Sequence, residues 1–361
     1  MKPEKIRVLV VDDSSVVRHA ICEALRGDAQ IDVVGTAADP YQARDKILAL
    51  QPDVLTLDIE MPRMDGITFL RILQQHRPLP VVVVSSLTQA GSRAALDALE
   101  AGAVDVMAKP SSALSIGELG PQLRERVKGA AAATLSPRPV AANGRHCALS
   151  KSARFDPRQV ILLGASTGGT EAIKHILRRL PDGLPPICIV QHIPPVFSKA
   201  FAMRLNELCA FEVREAVSGD ELRPGLALVA PGDYHTMILR DGNRYRVALN
   251  QGPPVNYTRP AVDVLFSSAA VCAGRQVTAA LLTGMGADGA RGLKKLRAAG
   301  AATFAQDEAT CVVYGMPRAA AELGAAETVL PLEKIPEALL ASVLSRSAVP
   351  GESKPPQSVL S

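Results

Sequence analysis

The chain has 361 residues, with 40 Lys+Arg against 36 Asp+Glu and a net charge of +4. That length suits two domains, and the charge is too mild to argue for nucleic acid by itself. Hydrophobic residues make up 47%, yet aromatics supply only 3% and Trp is absent, so the cores must be Ala, Val, Leu and Ile, which suits α/β layers.

Met1 to Lys5 lead into one short strand-like run and not a signal peptide. Residues 6–11 form that first apolar run, ending at Asp12-Asp13-Ser14, and residues 16–25 read as a helix. The order then repeats, with strands over 31–36, 54–57, 81–84 and 103–107 and helices over 40–50, 66–76, 91–101 and 116–127. Five βα units with fully apolar strands predict a doubly wound parallel sheet covered on both faces.

Ligands of such sheets sit at the carboxyl ends of the strands. Asp12 and Asp13 end the first strand, Asp58 the third and Ser85 the fourth, while Lys109-Pro110 follow the fifth. Any one of these acids could be a helix cap, but their joint placement at successive strand ends argues otherwise. Clustered carboxylates repel and call for a cation, and hard oxygen ligands suit Mg²⁺. Asp12-Asp13, Asp58 followed by Met61-Pro62-Arg63-Met64-Asp65-Gly66, Ser85 and Lys109-Pro110 together resemble the receiver domain of two-component response regulators. The resemblance implies that Asp58 accepts a phosphoryl group from a histidine kinase, with Mg²⁺ held by Asp13, Asp58 and the Glu60 carbonyl. Asp12 would assist through water, and Ser85 and Lys109 would bond the phosphoryl oxygens. Receivers often carry an aromatic switch residue shortly before the lysine; Val106 and Met107 stand there instead.

The receiver is read over 1–128. Residues 129–155 are Ala-, Pro- and Ser-rich, carry Arg138, Arg145, Lys151 and Arg154, and read as a linker. Its charge either solubilises the segment or contacts an acidic partner surface.

A second domain is expected over 156–346. Its first strand, 160–163, breaks into Gly164-Ala165-Ser166-Thr167-Gly168-Gly169 before an amphipathic helix over 171–180. Three readings stay open from this joint alone. Ser166 or Thr167 could cap the helix, the loop could cradle a nucleotide phosphate, or Ser166 could be a nucleophile beside unpaired helix N–H groups. Strand 187–191 then ends at His192, and a helix covers 197–208. A strand over 226–230 and a hairpin around Asp241-Gly242-Asn243 follow, and after a Pro-rich loop a helix covers 262–273. Strand 277–282 opens into Gly284-Met285-Gly286-Ala287-Asp288, and alternating elements continue to residue 344. The expected layer is again doubly wound and mostly parallel. Residues 347–361 read as a disordered tail.

The strand-end rule selects His192 and Asp288 as partners for Ser166. Histidine is the natural base near neutral pH, and a carboxylate would steady its imidazolium. Each has a duller alternative: His192 as a packed residue, Asp288 as a cap for the helix starting at Ala290. His235 and His175 compete as bases but lie in the hairpin and within a helix, and rank lower.

The Ser166 loop, Gln191-His192-Ile193-Pro194, Arg259-Pro260-Ala261-Val262-Asp263, the Thr283-Gly284-Met285-Gly286-Ala287-Asp288-Gly289 loop and Gln306-Asp307-Glu308-Ala309-Thr310 resemble the chemotaxis methylesterase family CheB. The resemblance implies Ser166, His192 and Asp288 as a triad, with the Met285 N–H and, as a candidate, the Thr167 N–H forming the oxyanion hole. It further implies hydrolysis of glutamate γ-methyl esters, and deamidation of certain glutamines, on cytoplasmic helices of chemoreceptors. A chemotaxis histidine kinase would be the phosphodonor, no cofactor would serve the hydrolysis, and the unphosphorylated receiver would pack over the active-site entrance. A DNA-binding output would need a helix-turn-helix, and a nucleotide site a P-loop lysine or an acid where His192 stands; neither is present.

The six cysteines, Cys22, Cys147, Cys188, Cys209, Cys272 and Cys311, show no C-x-x-C spacing, so reduced core thiols in a cytosolic protein are expected. No run approaches the roughly 20 apolar residues of a membrane span.

Overall fold

Apolar strands without polar alternation need cover on both faces, and only helices above and below a sheet supply it. The computed structural model, which describes residues 5–86, 88–109, 116–135 and 155–347, meets that need twice. In the first layer β1 (Ile6–Val11), β2 (Ile31–Ala37), β3 (Val54–Asp58), β4 (Val81–Ser85) and β5 (Asp105–Ala108) alternate with α1 (Ser15–Arg26), α2 (Pro40–Leu50), α3 (Gly66–His76), α4 (Gln89–Ala101) and α5 (Ile116–Ala131). The strands run parallel in the order β2-β1-β3-β4-β5. The order reverses between β1 and β3, the switch point at which such sheets bind ligands. Ser14, Asp39 and Asp65 cap α1, α2 and α3 through their side chains.

The helix expected over 116–127 runs on to Ala131. Leu123, Val127 and Ala130 continue one buried face, and the Ala-rich composition that reads as linker is also the strongest helix former. Residues 136–154, which hold the linker's basic residues, and 348–361 of the tail lie outside the described residues.

The second layer contains β6 (Val160–Ala165), α6 (Gly169–Leu177), β7 (Ile187–Gln191), α7 (Phe197–Leu208), β8 (Glu212–Glu215) and β9 (Leu226–Val229). The hairpin β10 (His235–Asp241) and β11 (Arg244–Asn250) precedes α8 (Val262–Cys272) and β12 (Val277–Leu281). Then come α9 (Ala290–Ala298), β13 (Ala302–Gln306), α10 (Met316–Glu322), β14 (Thr328–Leu330) and α11 (Ile335–Ser347). Seven strands lie in the order β14-β13-β12-β6-β7-β9-β8, each pair parallel, and the hairpin forms a separate antiparallel ribbon. The edge strand β8 escapes the sequence reading because Glu-Val-Arg-Glu holds one apolar residue. Val213 pairs with Ala227, and its N–H donates to Asn206 Oδ1 at 2.8 Å.

The two layers meet where α4 packs on α6 and α7. Leu96, Leu99, Thr170, Phe201 and Leu205 line a narrow crevice there. Lys174 pairs with Glu100 at 3.0 Å and Arg204 with Asp97 at 2.9 Å, tying the rims together. Among the described residues no helix is long and apolar enough to cross a membrane. Cys22, Cys188, Cys209, Cys272 and Cys311 are free thiols, and burial pushes Cys188 and Cys311 up to about 12. Cys147 lies outside the described residues.

Candidate active site and phosphoacceptor site

Strand pairing brings Ser166 and His192 out side by side. Ala165 and Gln191 are register partners on β6 and β7, and the next residue of each strand is Ser166 and His192. The His192 N–H donates to the Ala165 carbonyl at 3.1 Å. The turn at Ser166 is held from three sides: its N–H donates to Thr283 O at 3.0 Å, and its carbonyl accepts from the Gly169 N–H at 2.7 Å and from Gln191 Nε2 at 2.8 Å. Gly168 caps α6 at φ 76°, in the left-handed region that suits glycine, without any side-chain bond. The Ser166 hydroxyl is therefore not a helix cap; among the described residues it makes no hydrogen bond.

His192 Nε2 lies 2.8 Å from Asp288 Oδ2, and both side chains are buried. Asp288 does not cap α9, whose start at Gly289 has no side-chain bond. It caps α8 instead, accepting from the Val262 N–H at 2.6 Å and the Asp263 N–H at 3.1 Å. Burial alone would raise the Asp288 carboxyl. The His192 hydrogen bond and charge, with the two N–H donors, outweigh burial and hold it below the usual carboxylate range. His235 is committed elsewhere: Nε2 sits 3.0 Å from Pro253 O, and Nδ1 accepts from the Ala261 N–H at 3.2 Å. His175 lies in α6, where burial lowers its affinity for a proton.

Among the described residues the N–H groups of Met285 and Thr167 make no hydrogen bond. The Met285 loop reaches Ser166 because Gly284 has no side chain; a Cβ there would stand 2.4 Å from Met316 Sδ and 2.7 Å from Ser166 Cβ. Gln306 Oε1 accepts from the Thr283 N–H at 2.9 Å, and Thr283 Oγ1 donates to Thr167 O at 3.0 Å.

The first layer reaches into this site. Thr167 Oγ1 donates to Asp105 Oδ2 at 2.6 Å, and Arg126 of α5 pairs with the same carboxylate. Arg126 Nη2 also donates to the His192 carbonyl at 3.4 Å. A Cβ at Gly129 would lie 3.4 Å from Met285 Cβ and 3.6 Å from Thr167 Oγ1, so α5 lies against both oxyanion candidates. The Thr134 N–H then donates to Val312 O at 2.9 Å. None of these contacts is written in a motif.

At the switch point of the first layer, oxygens of Asp12, Asp13 and Asp58 lie within 4.8 Å of one another. Lys109 Nζ reaches Asp12 at 3.0 Å and Asp58 at 2.7 Å. Burial pushes the Asp58 carboxyl above its usual range, with the Asp12 charge in the same direction and Lys109 opposing both. An all-oxygen set of three carboxylates, one of them exposed, fits a hard divalent cation such as Mg²⁺. The Glu60 N–H donates to Asp58 Oδ1 at 3.2 Å. The Ser85 hydroxyl donates to Gly91 O of α4 at 3.3 Å, linking the strand end to that helix. Val106 and Met107 are buried, and Pro110 lies outside the described residues.

Residues 8–118 match the family model of the response regulator receiver domain, and residues 161–339 that of CheB methylesterase. The fold and site thus define a response regulator whose output domain is an enzyme. A protein-glutamate methylesterase/protein-glutamine glutaminase of Anaeromyxobacter dehalogenans is 53% identical over 340 residues, covering 94% of this chain and 95% of that one. A protein of the same description from Pseudomonas aeruginosa is 52% identical, covering 95% and 98%. The crystal structure of the Thermotoga maritima CheB methylesterase catalytic domain is 40% identical, with a TM-score of 0.50, covering 51% of this chain and 97% of that one. The chain belongs to the CheB family of protein-glutamate methylesterases/protein-glutamine glutaminases.

Proposed function

We propose that this protein hydrolyses glutamate γ-methyl esters on the cytoplasmic helices of chemoreceptors, and deamidates certain of their glutamines, through Ser166, His192 and Asp288. The Ser166 oxygen attacks the side-chain carbonyl carbon as its proton passes to His192. Because Nε2 faces Asp288, Nδ1 is the nitrogen left to take it. Asp288 steadies the imidazolium, and the Met285 and Thr167 N–H groups receive the oxyanion. The tetrahedral intermediate expels methanol, or ammonia from a glutamine, with the proton returned by His192. Water, deprotonated by His192, then releases glutamate and restores Ser166.

The observation that carries this reading is the 2.8 Å contact of His192 with Asp288, next to a strand register that sets Ser166 beside His192. The deciding experiment is an ester-hydrolysis assay on methylated receptor membranes, in which Ser166→Ala should release no methanol.

The receiver would take its phosphoryl group on Asp58 from the chemotaxis histidine kinase, in the cytoplasm. Asp13, Asp58 and the Glu60 carbonyl would hold Mg²⁺, with Asp12 assisting through water. Bound there, the ion neutralises phosphoryl charge. Before phosphorylation α5 and Asp105 restrain the esterase site. Lys109 bonds Asp58 immediately beyond β5, and Asp105 begins that strand, so one strand joins phosphoacceptor to active site. A phosphoryl group that draws Lys109 and Ser85 toward itself would shift β5 and α4 and loosen the cover.

A further inference from the structure

Besides His192 and the two backbone N–H groups, Asp288 has one side-chain partner outside the triad. Its Oδ1 accepts from Asn256 Nδ2 at 3.0 Å, and the same amide nitrogen lies 3.3 Å from Asp263 Oδ2. The two carboxylates are already crossed between helices. Asp288, just before α9, caps α8, while Asp263, on α8, accepts from the Gly292 N–H of α9 at 2.6 Å. Two carboxylates therefore face each other, Asp288 buried and Asp263 partly buried, with the neutral amide of the exposed Asn256 between them.

Asn256 has a plain reason to be where it is. Val255 and Thr258 exchange hydrogen bonds at 3.0 Å, and the residues between them, Asn256 and Tyr257, have φ of 52° and 63°. That is a two-residue turn with both central residues left-handed, in which Asn and Gly are the preferred residues. The turn explains the backbone but not why the amide points at the buried carboxylate. A glycine would serve the turn as well and leave Asp288 Oδ1 with one donor fewer.

We infer that Asn256 is a positioning residue of the esterase: its amide fixes the Asp288 carboxylate opposite His192 and screens it from Asp263. The inference rests on the triad reading above. Among the described residues, the titratable groups facing Asp288 are His192 after β7 and Asp263 on α8, with Arg291 of α9 acting on Asp263. Burial and the Asp288 charge push Asp263 above the usual carboxylate range. Without the amide, Asp288 carries more uncompensated charge. It holds the imidazolium of His192 more tightly and takes a proton more readily, and both effects move the acid limb of kcat/KM to higher pH.

The test is the pH profile of kcat/KM on methylated receptor membranes with the full chain, comparing wild type, Asn256→Gly, Asn256→Asp and Ser166→Ala. Asn256→Gly keeps the turn. It should lose roughly ten- to a hundredfold in kcat/KM near neutral pH, with its acid limb displaced upward. Asn256→Asp keeps the shape but adds a third carboxylate, and should displace the limb further. A folded Asn256→Gly protein with the wild-type acid limb overturns the inference while Ser166→Ala is inactive. If Ser166→Ala hydrolyses normally, the triad reading has failed and the inference falls with it.

Discussion

The Thr167 hydroxyl, one residue past Ser166, donates to Asp105 of the other domain at 2.6 Å. Asp105 is buried and ion-paired with Arg126, so the hydrogen bond is charge-assisted and shielded from water. Such a bond would restrain the loop that carries Ser166 from the receiver's last strand.

Asp105→Asn should weaken that restraint. Without a phosphodonor, the variant's hydrolysis of methylated receptor membranes should rise by up to about tenfold, the low end of the scale of one hydrogen bond to a charged group, because the amide oxygen can still accept from Thr167. Added phosphodonor should stimulate it less than wild type. A basal rate equal to wild type would show that the contact is incidental to regulation.

Salt should act on the rim of the same interface. The Lys174–Glu100 and Arg204–Asp97 pairs are partly exposed, so ionic strength screens them. The unphosphorylated rate should climb with salt, and Arg204→Ala should reproduce the climb at low salt, by a few-fold at most given about 0–1 kcal/mol per exposed pair. Burial would raise the Glu100 carboxyl, but its bonds to Lys174 and Arg204 hold it below the usual range. Its contribution is therefore present above the ordinary carboxylate pKa and is lost as pH falls through the depressed one.

Asp58→Asn should abolish kinase-stimulated hydrolysis and keep the basal rate. It should also stabilise the fold. Burial sets the Asp58 carboxyl above its usual range, so ionising it costs the folded state, and the cost grows as pH rises from the unfolded value to the folded one. In Mg²⁺-free buffer the melting temperature of Asp58→Asn should exceed wild type at neutral pH, and the gap should close in acid. A gap that widens in acid would reverse the sign assigned to this group.

Ser166→Ala should lower hydrolysis by roughly 10⁴-fold or more, as removal of a triad nucleophile does elsewhere, while Asp58 still accepts phosphate from a small-molecule donor. Gly284→Ala should be nearly as damaging, because the methyl group collides with Met316 and Ser166. Loss of phosphate acceptance in Ser166→Ala would point to misfolding.

How much of this was written in the sequence depends on where the information lies. Fully apolar strands announce a parallel sheet, and the ends of those strands name Asp12, Asp58, Ser166 and His192 because the edge rule needs no contact information. Asp288 was legible as a loop acid but not as the cap of α8, since that bond joins residues brought together only by helix packing. The edge strand β8 lacks an apolar pattern, and the Ala-rich end of α5 looks like a linker until Val127 and Ala130 are seen buried on one face. Asp105, Arg126 and Asn256 belong to no motif; their partners lie in other elements, and the first two reach the other domain.

The bond from Thr134 to the Val312 carbonyl has a practical use. The chain contains no tryptophan, so one indole introduced at position 312 would emit against a dark background. Its colour and quenching would then follow, in real time, whether the segment leaving the receiver is docked or has let go.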